Sequence, residues 1–344
     1  MKTIQSVCFI AIIMLLLSSC SNDPTVMRKK VTGRAGEVVV VIPKKTWESP
    51  AGSKIREVLA QPQLGLPQDE PIFELIDVPP AAFKEIFKTA RNIVTAKISP
   101  GLDSAKVEFK KDIWAWPQAV INIKAKSQEQ FVEAFDKNSD KIAAYLIKAE
   151  RDRLLMNYKN YNDKAVKNTI LEKFGFNLNV PPGFAVTKPN KDFAWIRYET
   201  PEISQGIIVH TYPYSSDSTF TLNYILNKRD AILKKYVDGP SEGSYMITEH
   251  LLPPVFNICN FKNNYAAETR GLWKVKNDFM GGPFINMTIL DASNNRIVML
   301  DGYVYAPRYD KRNYLRQVEA MMHSLAFPHQ AKNDKITSEV NMGN

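Results

Sequence analysis

Two spacings of apolar residues alternate along the chain, and each predicts its own kind of element. The run Glu37-Val38-Val39-Val40-Val41-Ile42 is continuous and β-branched, which predicts a buried strand. Ser49-Pro50 then reads as an N-cap with proline at the first helical position, and Ile55, Val58 and Leu59 form the apolar face of the helix that follows. A second strand covers Ile72 to Val78. After Pro80, residues Phe83, Ile86, Phe87 and Ala90 fall at i, i+3, i+4 and i+7 and predict a second helix. Strands near 92–98, 106–114 and 118–124 complete a first sheet. Ser127 and Gln130 form a capping box. They open a long helix, marked on one side by Phe131, Phe135, Ile142, Tyr145, Leu146 and Ala149, that runs to about Asn157.

Asn160-Tyr161-Asn162-Asp163 is polar and turn-rich, and the domain boundary is placed there. Val166, Ile170, Leu171 and Phe174 make a short linking helix. Beyond it come several strands, a helix near 219–236, further strands, and a C-terminal helix near 310–325. Asp291 to Asn295 reads as a turn joining two strands, the second ending in Tyr303-Val304-Tyr305. The expected class is α+β in two domains, each a mostly antiparallel sheet packed by helices. The first domain spans 36–160 and the second 161–328, with a polar tail at 329–344.

The first 35 residues follow another pattern. Lys2 precedes the apolar run Val7 to Leu17, which has signal-peptide length and falls short of the about 20 apolar residues that span a bilayer. The run ends in Leu17-Ser18-Ser19-Cys20, which resembles the bacterial lipobox. Residues 1–19 therefore read as a signal peptide, and Cys20 as the lipidated first residue of the mature chain. Each buried methylene contributes about 0.8 kcal/mol, so two or three acyl chains make a durable anchor. Residues 20–35 are a tether carrying Arg28, Lys29, Lys30 and Arg34. Ser21, rather than Asp, follows the cysteine, which favours the outer over the inner membrane.

Composition changes the picture in three ways. Apolar residues at 44% and charged residues at 24% are those of a globular protein. The formal charge of +9 is spread along the chain instead of being gathered on one face, so a nucleic-acid partner is not expected. Of three cysteines, Cys8 leaves with the signal and Cys20 carries lipid. Cys259 is then alone in an apolar run, which reads as a small core residue.

Candidate chemistry is sparse. Gly239-Pro240-Ser241-Glu242-Gly243 fits G-x-S-x-G, but it follows a helix and precedes a strand, which is a turn context and not a nucleophile elbow. His210, His250, His323 and His329 show no metal-ligand spacing, and no phosphate-binding glycine loop occurs. No catalytic residue, cofactor or metal is assigned. One pattern recurs: Trp114/Trp116, Tyr212/Tyr214 and Tyr303/Tyr305 each place two aromatics on one strand face, about 7 Å apart. Such pairs suit a cleft that stacks sugars or grips an apolar ligand. Arg270 and Trp273 would add a cation and a platform, with Gly281 and Gly282 letting backbone approach a partner closely.

Two resemblances follow from these runs. The stretch from Phe174-Gly175-Phe176 to Pro181-Pro182-Gly183-Phe184, with the closing helix, is similar in pattern to the PsbP-like α/β/α sandwich, which implies a fold and no function. The runs Val31 to Val40, Arg270 to Trp273, Met280 to Phe284 and Leu300 to Pro307 resemble an uncharacterised Bacteroidetes lipoprotein family, domain of unknown function 4837, over nearly the whole mature chain. That resemblance implies an envelope address and no reaction. The sequence thus points to a lipid-anchored, non-enzymatic binding or assembly module of the cell envelope. Its expected partners are membrane lipid through Cys20, and a glycan, an apolar ligand or an envelope protein. The alternative is an envelope hydrolase whose site is assembled from sequence-distant residues.

Overall fold

The computed structural model describes residues 29–328. The signal peptide, Cys20, the first part of the tether and the tail lie outside the described residues. Strands β1 (Glu37–Val41), β2 (Glu74–Val78), β3 (Asn92–Ile98), β4 (Lys106–Lys111) and β5 (Ala119–Ala125) form one sheet in the order β2-β1-β3-β5-β4. Helices α1 (Lys44–Trp47), α2 (Pro50–Leu59), α3 (Glu85–Lys88), α4 (Gln128–Lys137) and α5 (Ser139–Asn160) accompany it. The α+β class in two bodies stands, but this first sheet differs from the expected antiparallel pairing. β1 pairs in parallel with β2 and β3, and β3 with β5, so that β4–β5 is its one antiparallel pair. The reason was present in the valine run. β1 is buried on both faces, as a central strand with helical crossovers must be.

Ser49 accepts a hydrogen bond from the Ala51 amide, and Pro50 opens α2. The helices α2, α4 and α5 pack Ile55, Phe131, Phe135, Ile142 and Leu146 on Val38, Val40 and Ile121. The long helix expected after Ser127 breaks at Asn138 into α4 and α5. The helix expected after Pro80 shrinks to a 3-10 turn and the single turn of α3. Ile86 there is exposed, while Phe83 and Phe87 cover the sheet.

The second sheet has eight strands: β6 (Ala185–Thr187), β7 (Phe193–Glu199), β8 (Ser204–Pro213), β9 (Tyr245–Glu249), β10 (Val255–Phe261), β11 (Asn264–Lys276), β12 (Gly281–Asp291) and β13 (Arg296–Tyr305). Its order is β10-β11-β12-β13-β8-β7-β6, with β9 also on β11, and every pairing is antiparallel. Helix α7 (Leu222–Tyr236) covers one face over Trp195, Ile208 and Phe284. Helices α6 (Lys164–Phe174) and α8 (Arg312–His323) cover the other over Ile207, Met287 and Leu300, giving three layers. Arg229 pins α7 to the sheet: Nε donates to Asp301 at 2.7 Å and Nη1 to Thr248 at 2.8 Å, both inside the core. Among the described residues no helix is long and apolar enough to cross a membrane.

The bodies meet along α5 and α8. Leu154 and Tyr158, late in α5, pack into the second core, although Ile142 and Leu146 belong to the first. Glu70 of the first body caps α8, accepting from the Lys311 and Arg312 amides at 2.7 and 2.8 Å. A carboxylate there satisfies orphan amides and complements the helix dipole. Arg312 in turn reaches Glu74 at 2.9 Å.

Candidate functional site

Strand alternation brings four aromatic side chains to one recess on the α7 face. Trp195 of β7, Trp273 of β11, and Tyr303 and Tyr305 of β13 line a pocket of about 300 Å3. Two glycines let rings lie this close to backbone. A Cβ on Gly206 would come 2.3 Å from the Ile196 carbonyl and 3.0 Å from the Tyr303 ring. One on Gly282 would come 2.1 Å from the Val304 carbonyl and 3.3 Å from the Trp273 indole nitrogen. Gly282 therefore allows close approach, as its sequence context suggested, but the approaching groups belong to this chain.

The polar ends of Trp195, Tyr303 and Trp273 are satisfied internally. Trp195 Nε1 donates to the Tyr303 hydroxyl at 3.1 Å, Ser204 Oγ lies 3.2 Å from the same hydroxyl, and Trp273 Nε1 donates to the Val304 carbonyl at 3.2 Å. Burial pushes the Tyr303 hydroxyl up to about 12, so it stays protonated. Trp273 stands edge-on to Tyr303, with ring centroids 5.9 Å apart. The Arg197 guanidinium lies 4.6 Å above Trp195 and donates to Glu199 at 3.1 Å. Tyr303 and Trp273 are almost fully buried walls, whereas Tyr305 is half-buried at the mouth. The arrangement is a preformed aromatic recess with a charged rim.

The other singled-out residues scatter. Trp114 and Trp116 sit in the loop between β4 and β5, on no common strand face. Trp114 packs edge-on against Phe83, and Trp116, 41% exposed, lines a separate recess of about 220 Å3 in the first body. The four-residue cleft of Trp114, Trp116, Tyr303 and Tyr305 therefore does not form. Tyr212 lies toward the opposite end of the sheet in another cleft, and Tyr214 hydrogen-bonds Asp217 beyond the strand. Gly281 and Gly282 begin β12 opposite Lys274 and Trp273, so the hairpin turn falls before them.

Arg270 is no open cation. Three residues along a strand separate opposite faces, so Arg270 points away from Trp273 toward α8. There it pairs with Glu268 at 2.6 Å and Glu319 at 3.1 Å. Ser241 of the G-x-S-x-G run donates to Asp278 at 2.8 Å in a turn after α7. Cys259 is half-buried, and burial pushes its thiol up, away from thiolate chemistry. Among the described residues no group of three or more His, Cys, Asp or Glu could hold a metal ion. Sequence reasoning missed Trp195 and Arg197, though Phe193, Trp195, Arg197 and Glu199 share one strand face at period two.

Comparison with known proteins divides the chain in two. Residues 162–324 match a family described as Domain of unknown function (DUF4837). Residues 31–159 match another, Domain of unknown function (DUF8532). The resemblance to the first family thus holds over the second body, while the run from Val31 to Val40 falls within the second match. No curated protein matches. Among solved structures, the human StarD13 (DLC2) lipid transfer and protein localization domain is 9% identical, with a TM-score of 0.22. The match covers 47% of this chain and 94% of that one, and a likeness so distant carries no argument here.

Proposed function

We propose that the protein is a lipid-anchored module of the bacterial outer membrane that binds a small ligand without transforming it. The address rests on Leu17-Ser18-Ser19-Cys20 and the apolar run before it. The binding role rests on one observation: four aromatic side chains from three strands converge on a single recess, with the polar ends of Trp195, Trp273 and Tyr303 already hydrogen-bonded within the chain. A preformed apolar pocket spends little of its binding energy on ordering side chains. Its rings, with Arg197 and Glu199 at the rim, suit a ligand with one apolar or sugar-ring face and a polar edge.

Tryptophan fluorescence titration with neutral mono- and disaccharides and with an apolar dye tests the pocket. Binding should weaken about tenfold in Tyr305→Ala and Trp195→Ala, and remain unchanged in Trp116→Ala. Turnover of a chromogenic ester or glycoside that disappears in Ser204→Ala would establish the hydrolase instead. For the address, Cys20→Ala should abolish fatty-acid labelling and leave the precursor uncut. Normal labelling of that variant overturns the anchor.

A further inference from the structure

A second recess, of about 740 Å3, opens on the same α7 face near the opposite ends of the strands. Its walls carry Lys173 from the end of α6, Lys191 from the turn before β7, Lys228 and Lys235 from α7, and Arg296 at the start of β13. The seven-residue spacing of Lys228 and Lys235 keeps both on one side of the helix. Asp192 is the single carboxylate in the lining. Arg296 is already engaged, with Nε on Asp291 at 2.8 Å and Nη2 on the Phe174 carbonyl at 2.7 Å. Lys173, Lys191 and Lys228 have no carboxylate partner among the described residues. Like charges gathered around one recess repel each other and raise the potential that an anion would meet there.

Two buried rings of β8, Tyr212 and His210, also line the recess. Tyr212 is 8% exposed, and its hydroxyl is buried without a hydrogen-bond partner. The Lys228 ammonium sits 4.5 Å above the same ring. Beside it, His210 Nδ1 lies 2.8 Å from the Asp192 carbonyl, which assigns the ring proton to that nitrogen. Burial, with Lys228 and Lys235 nearby, holds the imidazole below its usual range despite Asp192.

We propose that this cleft binds a phosphate monoester, its phosphoryl group held by Lys191 and Lys228. The free cations are lysines, which act as point charges on a tetrahedral dianion; the planar fork that favours a carboxylate belongs to Arg296 and is occupied. The recess is larger than a phosphate, and Ile232 and Tyr236 in its lining leave an apolar surface for the organic part. A sugar phosphate or a phosphomonoester lipid headgroup presents this chemistry.

Calorimetry on the full mature protein in detergent tests the site with inorganic phosphate, glucose 1-phosphate and sulfate. Flotation with phosphatidylcholine vesicles containing phosphatidate tests the lipid source. Binding of glucose 1-phosphate assigns a soluble ligand, and binding of the vesicles alone assigns a headgroup. In either case Lys228→Gln with Lys191→Gln should weaken binding at least tenfold. In the wild type, saturating phosphate ligand should raise the His210 pKa measured by NMR. The proposal is overturned if neither source binds at millimolar phosphate. It is equally overturned if binding survives the double lysine substitution, or if sulfate binds as tightly as phosphate. Tyr305→Ala, at the aromatic recess, should leave this binding intact, so each site fails or stands by itself.

Discussion

Around Glu319 two arginines share one buried carboxylate, whereas around Tyr212 lysines face one another across open space. Glu319 projects from α8 into the seam between the two bodies. It receives Arg270 at 3.1 Å and Arg151 at 3.4 Å, with His323 Nε2 at 3.8 Å. Burial alone would raise its pKa, yet the facing cations bring it down to about 2. His323 goes to about 4, through burial first and then Arg151, so at neutral pH it is uncharged and the arginines hold Glu319. The cleft at Tyr212 reverses each feature: its lysines are partly or fully exposed and its charge is one-sided. Cations in the seam are held in place by packing and carboxylates. In the cleft, Lys173, Lys191 and Lys228 have no carboxylate partner among the described residues.

The contrast is broken most directly at Glu319. Glu319→Gln leaves Arg270 facing Glu268 alone in a buried setting, and loss of one partner from such a pair typically costs about 3–5 kcal/mol. Urea unfolding should show that loss. Replacing Glu319, Arg270 and Glu268 together with apolar residues of similar volume should recover most of it, because no part-buried carboxylate is then left without its cation. An undiminished midpoint in Glu319→Gln would mean that the seam charges are as loosely held as the cleft's.

Acid should act in the same direction as that substitution. Both groups have folded pKa values below their unfolded ones, so both stabilise above the unfolded value and lose that contribution as pH falls. For His323 the window runs from about 6.5 down to about 4, and for Glu319 from about 4.5 down to about 2. The full contribution of each is on the order of 3 kcal/mol. Urea midpoints between pH 7 and pH 3 should therefore fall in two overlapping steps. His323→Gln should remove the upper step alone.

The aromatic recess sits between these extremes, since the polar atoms of its buried rings are paired but uncharged. Tyr303→Phe removes a hydroxyl that serves both Trp195 and Ser204, and should lower stability by about 1–1.5 kcal/mol. Thermal unfolding checks it.

These differences explain how far the sequence could be read. Local signals were legible wherever the cause was local. The Ser49-Pro50 start and the Ser127 cap with Gln130 three residues on appear where the chain announces them. The Asp291–Asn295 turn does too, with Asn295 left-handed at φ 46°. Strand pairing was less legible: the doubly buried valines of β1 marked a parallel centre, whereas the expected first sheet was mostly antiparallel. The site was legible in part. Tyr303 and Tyr305 share a face because the strand period demands it, and Trp273 joins them through the β11–β12–β13 register. For Arg270, Glu268 two residues along the same strand face was a readable partner, but Glu319, which completes its burial, lies 49 residues away on another element. For the same reason the cleft was invisible. Lys173, Lys191, Lys228 and Lys235 are unremarkable in sequence, and only the sheet and α7 bring them together.

The smallest expected effect is the one that sharpens the comparison furthest. Lys191 is exposed and has no carboxylate partner among the described residues, and its neighbours across the cleft are cations. Lys191→Gln therefore removes no ion pair and leaves no buried group unsatisfied. It also relieves a little like-charge repulsion. The unfolding free energy should stay within about 0.5 kcal/mol of the wild type, the range for a surface change away from any special feature. A shift upward at low salt that disappears at 1 M salt would be the signature of relieved repulsion, because the screening length shrinks to about 3 Å there. The matched change in the seam, Arg270→Gln, strips a buried carboxylate of its main partner and should cost several kcal/mol at either salt concentration. If Lys191→Gln proves as damaging as Arg270→Gln, the lysine has a structural partner, and the cleft is a second seam rather than a vacant site.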